Sequence, residues 1–276
     1  MNLDPEEASA KYIALRQALG DAGLIKTVCP IYAGFRRNRV QFIGSGVLLR
    51  IADEPFLITA AHVIDAVASD HFFLGLGSQV YEIDVSVSMT RVPDGADRSQ
   101  DRLDVAVCYL SPSHVEHLSP DEFVELESIY RVPLIPEAGV HLAVGFPGSR
   151  QPKQLRGRDL SGIGATIACV SRSADEHRQL GLDPIMSLSL RYDRTALWSE
   201  TGYGLGVQPR GMSGGPVWFA PDGLHDTVAP RLLLAGVLIE WVHGKREILA
   251  TRVPVALSVI ARDRPKLQAL VQPWLE

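Results

Sequence analysis

Three short stretches of the chain hold the residue types that nucleophilic chemistry requires. Residues 210–218, "RGMSGGPVW", place Ser213 among three glycines, and residues 56–65, "FLITAAHVID", place His62 after an apolar run and two alanines. Asp104 begins an apolar stretch in "DRLDVAVCYL", where its carboxylate would be drawn inward. A serine hydroxyl becomes a good nucleophile when an imidazole takes its proton, and the imidazole needs a buried carboxylate to fix its tautomer.

The glycines around Ser213 suggest a second element of the same chemistry. Glycine at 211 allows the backbone to aim the N–H groups of Gly211 and Ser213 at one point, which would form an oxyanion hole. Each stretch taken alone has an ordinary structural interpretation: a histidine packed after a strand, an aspartate in a turn, a tight SGGP turn. Their occurrence together, in the order His62, Asp104, Ser213, favours a catalytic triad.

The remainder of the chain must position these residues, and its pattern is mostly β. Short runs rich in Val, Ile, Phe and Thr are separated by Gly, Pro, Asp or Ser at hairpin distances. We predict an all-β fold of two antiparallel six-stranded β-barrels with the site in the cleft between them, plus an N-terminal and a C-terminal helix. The predicted parts are a helical extension at 1–26, a first barrel at 27–118, a connection at 119–136, and a second barrel with the closing helix at 137–276.

Two local patterns refine this prediction. Residues 81–92, "YEIDVSVSMTRV", alternate for most of their length and are interpreted as one strand with a solvated face. The closing helix is expected to break near Pro265. His62 and Asp104 then belong to the first barrel and Ser213 to the second, so the site requires both.

Composition excludes several classes of function. The 276 residues carry a net charge of −5, which argues against nucleic acid or an anionic membrane as the main partner. No stretch approaches 18 uninterrupted apolar residues, and the first residues lack the features of a signal peptide, so we expect a cytoplasmic protein. The three cysteines, Cys29, Cys108 and Cys169, are expected to be buried thiols.

Three further motifs are given ordinary interpretations. Residues 202–206, "GYGLG", alternate glycines as a dinucleotide-binding turn does, but no strand is predicted before them and no βαβ unit after them, so we expect a mobile loop near the site instead. His114 and His117 have a spacing that could ligate a metal on a helix, but no Cys or third His lies nearby, so no metal is expected. The sequence implies no organic cofactor either. The basic cluster at 35–39 is expected to be solvated in a hairpin turn, although it could contact an acidic partner.

The chain resembles the trypsin-like serine proteases of the chymotrypsin superfamily. The motifs "TAAHV", "LDVAV", "VGFPG" and "GMSGGPV" carry this resemblance, which extends over residues 27–270. It implies that Ser213 is the nucleophile, His62 the general base and Asp104 the residue that orients it, with Gly211 and Ser213 forming the oxyanion hole. The segment "LRYDRTALWSE" together with "GMSGGPV" resembles the bacterial glutamyl-endopeptidase and stress-protease branches of the family more than its digestive members.

Two departures from the family pattern bear on how the protein is activated and on which substrates it prefers. Met212 stands where the digestive members carry an acid that pairs with a newly cut N-terminus, so we predict no activation cleavage of that kind. By the family's spacing, Val207 forms the floor of the specificity pocket, and Ile239, Glu240 and Trp241 lie where substrate backbone pairs. Val207 carries no charge, which favours a small or medium apolar residue before the scissile bond; an insertion before Ser213 would shift this assignment.

The resulting expectation is a bacterial serine endopeptidase. We expect protein or peptide substrates from a restricted set and control by a regulatory protein partner. The alternative is a catalytically silent pseudo-protease that binds peptides in its cleft, which Met212, Ile239 and Trp241 leave open. A non-peptide acyl hydrolase is a third possibility, disfavoured by the two-barrel pattern.

Overall fold

The computed structural model of the chain describes residues 23–34, 40–67, 71–77, 79–92, 94–95, 97–131, 140–151, 163–192, 197–199, 202–204, 206–221 and 231–276. The predicted N-terminal helix falls largely outside these residues, and the basic cluster at 35–39 falls entirely outside them. Within these ranges, strands form both halves of the chain and no helix is long and apolar enough to cross a membrane.

The first half forms one sheet in the order β5-β4-β1-β2-β3-β7-β6, with every neighbouring pair antiparallel. A short strand, β8, pairs in parallel with β2. The strands are β1 Val28–Gly34, β2 Val40–Ile51, β3 Glu54–Ala60, β4 His71–Leu76, β5 Gln79–Glu82, β6 Ser86–Met89, β7 Val105–Tyr109 and β8 Val124–Glu125.

The second half closes into a six-stranded barrel in the order β10-β11-β16-β15-β14-β9. Two more strands, β12 and β13, form a separate hairpin. The strands are β9 Val140–Gly145, β10 Ala165–Ser171, β11 Ser187–Arg191, β12 Leu197–Ser199, β13 Gly202–Gly204, β14 Pro216–Ala220, β15 Leu233–Val242 and β16 Glu247–Arg252. The predicted all-β class is confirmed, and the first half has eight strands among its described residues where six were expected.

The helices among the described residues are few and short. They are α1 Ala61–Asp65, α2 Pro112–Val115, α3 Ala174–Gln179, α4 Val253–Asp263 and α5 Gln268–Val271. Single 3-10 turns cover Arg98–Gln100, Pro120–Glu122, Leu126–Ser128, Gly148–Arg150, His243–Lys245, Pro265–Leu267 and Gln272–Trp274.

Two local predictions were wrong. The segment at 81–92 is not one strand, because its first part pairs with β4 and its second part with β7, and residues 83–85 break the strand where the chain changes partner. The segment predicted to be a mobile glycine loop contributes β13, which pairs with β12. The first outcome depended on which distant strand was available, whereas β13 pairs with the strand just before it in the sequence, which the glycine pattern did not reveal.

Helix α4 covers the junction between the two halves. Val253, Ala256, Leu257 and Ile260 recur at helical spacing and are fully buried. They pack in one apolar cluster with β2 residues of the first half and with β9, β14 and β15 residues of the second half. The Tyr109 hydroxyl also donates a hydrogen bond to Asp263 Oδ2 at 2.8 Å. The predicted closing helix and its break at Pro265 are confirmed.

All three cysteines are buried free thiols, as predicted. Burial raises the pKa of the Cys108 and Cys169 thiols to about 12 and raises that of Cys29 as well. At pH 8 the thiols are therefore protonated as well as shielded. We expect Ellman's reagent to leave all three unmodified in the folded protein and to react with all three in denaturant. Rapid modification of the folded chain would contradict this burial.

Candidate active site

Strand pairing brings His62 and Asp104 together. Strand β3 ends at Ala60, and its register with β7 pairs Ala60 with Val105, so the residues that follow β3 lie beside those that precede β7. The Ala61 N–H donates to the Asp104 carbonyl oxygen at 2.9 Å, extending the pairing past the end of the sheet. Helix α1 starts there, with Ala61 and Val63 buried beneath it and the His62 ring directed to the surface.

The Asp104 carboxylate contacts His62 through both oxygens. Oδ1 accepts a hydrogen bond from the His62 backbone N–H at 2.9 Å, and Oδ2 lies 2.5 Å from His62 Nδ1. The carboxylate can only accept, so Nδ1 carries the proton and Nε2 is left as a base. The Asp104 side chain is 10% exposed and that of His62 is 42% exposed, so the carboxylate is buried while the imidazole remains accessible.

The loop that presents Asp104 adopts an uncommon backbone conformation. Asp104 has φ +44°, a left-handed value that costs a non-glycine residue about 1–2 kcal/mol. The neighbouring Asp101 supports this turn, since its Oδ1 accepts from the Leu103 N–H at 3.0 Å and its Oδ2 accepts from the Thr90 hydroxyl at 2.6 Å. Burial alone would raise the pKa of Asp101, but these bonds, together with those from the Asp104 backbone and Arg98, hold it below its usual value.

Arg98 joins this loop to the helix that carries His62. Its Nη1 donates to Asp101 Oδ2 at 2.8 Å and to the Thr90 carbonyl at 3.0 Å, while its Nε donates to Asp65 Oδ2 at 2.7 Å. Asp65 is the last residue of α1, three positions after His62. One guanidinium thus ties together the two segments that supply the imidazole and the carboxylate.

The Ser213 loop has every one of its carbonyl groups bonded inside the protein. The carbonyls of residues 209, 210, 212 and 213 accept, in that order, from the N–H groups of Met212, Gly148, Gly215 and Ser45, at 2.8 to 2.9 Å. The Gly211 carbonyl accepts from the Ser45 hydroxyl at 3.3 Å. By contrast, neither the Gly211 nor the Ser213 N–H donates to a residue that the structure describes. The Gly211 and Ser213 N–H groups are therefore candidate donors for an oxyanion hole.

The glycines of the loop are required by close packing. Gly211 has φ +92°, and Gly214 has φ +88°. A Cβ on Gly214 would lie 1.9 Å from the Ser45 carbonyl oxygen and 2.1 Å from Thr59 Oγ1, and one on Gly215 would lie 2.1 Å from the Val144 carbonyl oxygen. Strands of both halves thus press directly on the backbone that follows Ser213.

The resting Ser213 hydroxyl does not bond to His62. Its Oγ donates to the Ile239 carbonyl oxygen at a long 3.4 Å, and no hydrogen bond joins these two described side chains. The two segments are nonetheless neighbours, because a Cβ on Gly44 would lie 2.7 Å from Val63 and 3.2 Å from the Ser213 carbonyl oxygen. Transfer of the proton to Nε2 requires the hydroxyl to rotate away from Ile239, and such contacts commonly tighten when substrate binds.

Of the predicted specificity residues, Ile239 contacts Ser213 through its carbonyl oxygen. Ile239 is buried at the bulge of β15, Glu240 is exposed and Trp241 is partly buried. Val207 is partly buried, and its carbonyl accepts a hydrogen bond from the buried Tyr192 hydroxyl at 2.7 Å. These side chains are apolar apart from the outward-facing Glu240.

The two histidines considered as metal ligands have other contacts. The His117 ring stacks on Tyr81 with centroids 4.4 Å apart, and His114 Nδ1 accepts from the Ser111 N–H at 3.3 Å. Among the residues that the structure describes, no group of three or more His, Cys, Asp or Glu side chains could hold a metal ion.

Sequence analysis missed Ser45, Arg98 and Tyr192. Ser45 lies between two glycines in "IGSGV", a pattern that signals close backbone approach and could have drawn attention to it. Arg98 lies in a polar loop and Tyr192 at the end of a strand, and nothing in their local sequence identifies the partners that they contact across the fold.

Comparison with solved structures places this architecture in a known class. Neuropsin, a serine protease expressed in the limbic system of mouse brain, is 13% identical, with a TM-score of 0.51 over 86% of this chain and 94% of its own. The MamO protease domain from Magnetospirillum magneticum is 14% identical, with a TM-score of 0.46 over 85% of this chain and 96% of its own. No protein-family model and no curated protein sequence matches the chain. The chain has the two-barrel fold of the trypsin-like serine proteases.

The packing against Gly214 makes a prediction about stability. We expect Gly214→Ala to lower the free energy of unfolding by about 3 kcal/mol or more. The added methyl group would clash with the Ser45 carbonyl oxygen and with Thr59 Oγ1, and alanine is strained at the positive φ of this residue. Urea unfolding followed by tryptophan fluorescence measures this.

Gly244→Ala is the matched control, because a Cβ there has no neighbour within 4 Å. We expect it to change stability by no more than about 0.5 kcal/mol. Equal effects of the two variants would show that the Gly214 contact does not constrain the fold.

Proposed function

We propose that the protein is a serine endopeptidase that acts through an acyl-enzyme formed on Ser213. The observation that supports this most is the backbone of residues 209–213, whose carbonyls are all bonded while the Gly211 and Ser213 N–H groups have no described acceptor. These two N–H groups lie on either side of Met212, in the loop that carries the Ser213 hydroxyl. Such a pair suits the negative oxygen of a tetrahedral intermediate.

The proposed mechanism assigns each group one role. Ser213 Oγ attacks the carbonyl carbon of the substrate and passes its proton to His62 Nε2, while the carbonyl oxygen becomes an anion held by the two free N–H groups. His62 then gives that proton to the leaving amine, and a water molecule, activated the same way, releases the acyl group. Asp104 stabilises the charged imidazolium through the Nδ1 contact at 2.5 Å.

Met212 supports activity without an activating cut. Its side chain is 1% exposed and packs in the apolar cluster of the second barrel with residues such as Tyr130 and Val217. A buried thioether cannot pair with a charged N-terminus, and the Arg210 carbonyl already points toward the Gly148 N–H, away from the site. Because the C=O and N–H of a trans peptide point in opposite directions, this arrangement leaves the Gly211 N–H directed at the site.

A silent pseudo-protease is the second candidate, and one observation favours it. The Ser213 hydroxyl bonds to the Ile239 carbonyl, so the resting nucleophile is not paired with its base. If this arrangement persisted with a ligand bound, the cleft would hold a peptide without cutting it. Control by a protein partner would then act by changing this contact.

Labelling with a fluorophosphonate distinguishes the two candidates. We expect the uncut full-length chain to gain one adduct by intact mass, because the reagent needs a nucleophile, a base and an oxyanion hole but little substrate recognition. Ser213→Ala should gain none, and His62→Ala should react at least about a thousandfold more slowly.

Two outcomes would count against parts of this proposal. Absence of labelling in wild type, with the fold intact, would support the silent module. Labelling that begins only after proteolysis near residues 24–30 would show that an activating cut is needed.

The surroundings of Ser213 also support a preference for a small or medium apolar residue before the scissile bond. Val207 and Ile239 carry no charge, and the Tyr192 hydroxyl is bonded to the Val207 carbonyl. The carboxylate of Glu240, the neighbour of Ile239, is exposed to solvent. Digestion of a peptide library, read by mass spectrometry, should give cleavage mainly after such apolar residues. Cleavage mainly after Lys, Arg or Glu would overturn this assignment.

A further inference from the structure

Ser45 is a fully buried polar residue at the contact between the two halves of the chain. It lies in β2 of the first half, and it is 0% exposed. Its N–H donates to the Ser213 carbonyl oxygen at 2.8 Å, and its own carbonyl oxygen accepts from Thr59 Oγ1 at 2.7 Å. Both backbone groups are thus used, and the side-chain hydroxyl remains to be accounted for.

The Ser45 hydroxyl bonds to two further elements. It accepts from the Phe146 N–H at 2.9 Å, immediately after β9, and it lies 3.3 Å from the Gly211 carbonyl oxygen. The Phe146 N–H can only donate, so the hydroxyl proton is directed to Gly211. The Ser45 hydroxyl is buried between one donor and one acceptor, so it has one orientation. Its hydrogen bond in turn restrains the orientation of the Gly211 carbonyl group.

The two peptide groups that flank Gly211 are held separately. The preceding one is held by the bond from the Gly148 N–H to the Arg210 carbonyl at 2.8 Å. The following one is held at two points, by the bond from the Met212 N–H to the Pro209 carbonyl at 2.9 Å and by Ser45 Oγ at the Gly211 carbonyl. Glycine rotates more freely than any other residue, and at φ +92° it has no side chain to limit it. Fixing both peptide planes fixes φ and ψ, and with them the direction of the Gly211 N–H.

We propose that Ser45 is a positioning residue for the oxyanion hole: its hydroxyl holds the Gly211–Met212 peptide and so keeps the Gly211 N–H aimed beside Ser213. The proposal rests on the proposed protease function and adds to it the device that keeps the hole formed. Met212 cannot form an ion pair with an N-terminus. In its place, the neutral hydrogen bond from Ser45 of the first half holds the loop. Ser45 touches no reacting atom and acts only through Gly211.

The test compares Ser45→Ala with wild type in fluorophosphonate kinetics. Loss of one oxygen leaves the Phe146 N–H and the Gly211 carbonyl unpaired, so the Gly211–Met212 peptide keeps only its Met212 N–H bond and is held less firmly. We expect the maximal inactivation rate to fall at least about tenfold, since losing a donor of an oxyanion hole outright costs about a hundredfold to a thousandfold. The half-saturating probe concentration should not change, because the hole acts on the tetrahedral adduct. Ser45→Cys, which keeps a weak donor, should fall between the two.

Ser189→Ala is the matched control. Ser189 is also 0% exposed, and its hydroxyl donates to Glu247 Oε1 at 3.2 Å, away from the Ser213 loop. We expect this variant to inactivate at the wild-type rate even if it unfolds at a lower temperature. An equal fall in both variants would show a general effect of lost stability and would overturn the proposal, as would a wild-type rate in folded Ser45→Ala.

A second measurement separates this proposal from the proposed function. In glycine-labelled protein, the carbonyl ¹³C and amide ¹⁵N resonances of Gly211 report its conformation whether or not the protein reacts. We expect both to move in Ser45→Ala, or in Ser45→Cys should the alanine variant not fold, and to stay in place in Ser189→Ala. If wild type does not label but the resonances move, the protease function fails and the role of Ser45 stands. If they do not move, the role of Ser45 fails.

Discussion

The hydrogen bond from the Ser45 N–H to the Ser213 carbonyl oxygen joins the two halves of the molecule at the point where the candidate site lies. It requires the backbone of β2 to approach the loop before β14 within hydrogen-bonding distance, which only glycine at 214 permits. At the preceding residue, the same space beside Gly44 is bordered by Val63 of the helix carrying His62 and by the Ser213 carbonyl oxygen. The geometry of the whole site follows from this one close approach, because His62 and Asp104 belong to the first sheet and Ser213 to the second barrel.

Electrostatics on the first-half side of the site is a balance of like and unlike charges. Asp101 and Asp104 are both buried and only three residues apart, which would be unfavourable without compensation. Hydrogen bonds to Asp101 lower its pKa, and the Arg98 guanidinium supplies the nearby positive charge. Because Arg98 also bonds to Asp65, the compensation of charge and the alignment of α1 with the Asp104 loop are achieved by the same side chain.

The sequence was sufficient to predict features that depend on local chemistry. The positions of His62 after a strand and Asp104 before one follow from apolar runs ending in a polar residue, and the tight Ser213 loop follows from its glycines. The break within residues 81–92 could not be predicted, because it depends on β4 and β7 lying at different places in the sheet. Arg98 escaped notice for the same reason, since its partner Asp65 lies 33 residues away in the sequence. The glycines that flank Ser45 signal a close backbone approach, but they do not identify Gly211, 166 residues away, as the partner of its hydroxyl.

Helix α4 has a consequence for the order in which the molecule is made. Its buried face completes the apolar cluster between the first sheet and the second barrel, and the nearby Trp274 indole donates to the Ile129 carbonyl at 3.2 Å. His62 and Asp104 leave the ribosome before Ser213, and the helix that covers the junction follows all three. The apolar cluster that joins the two halves is therefore completed only after every residue of the candidate site has been synthesised.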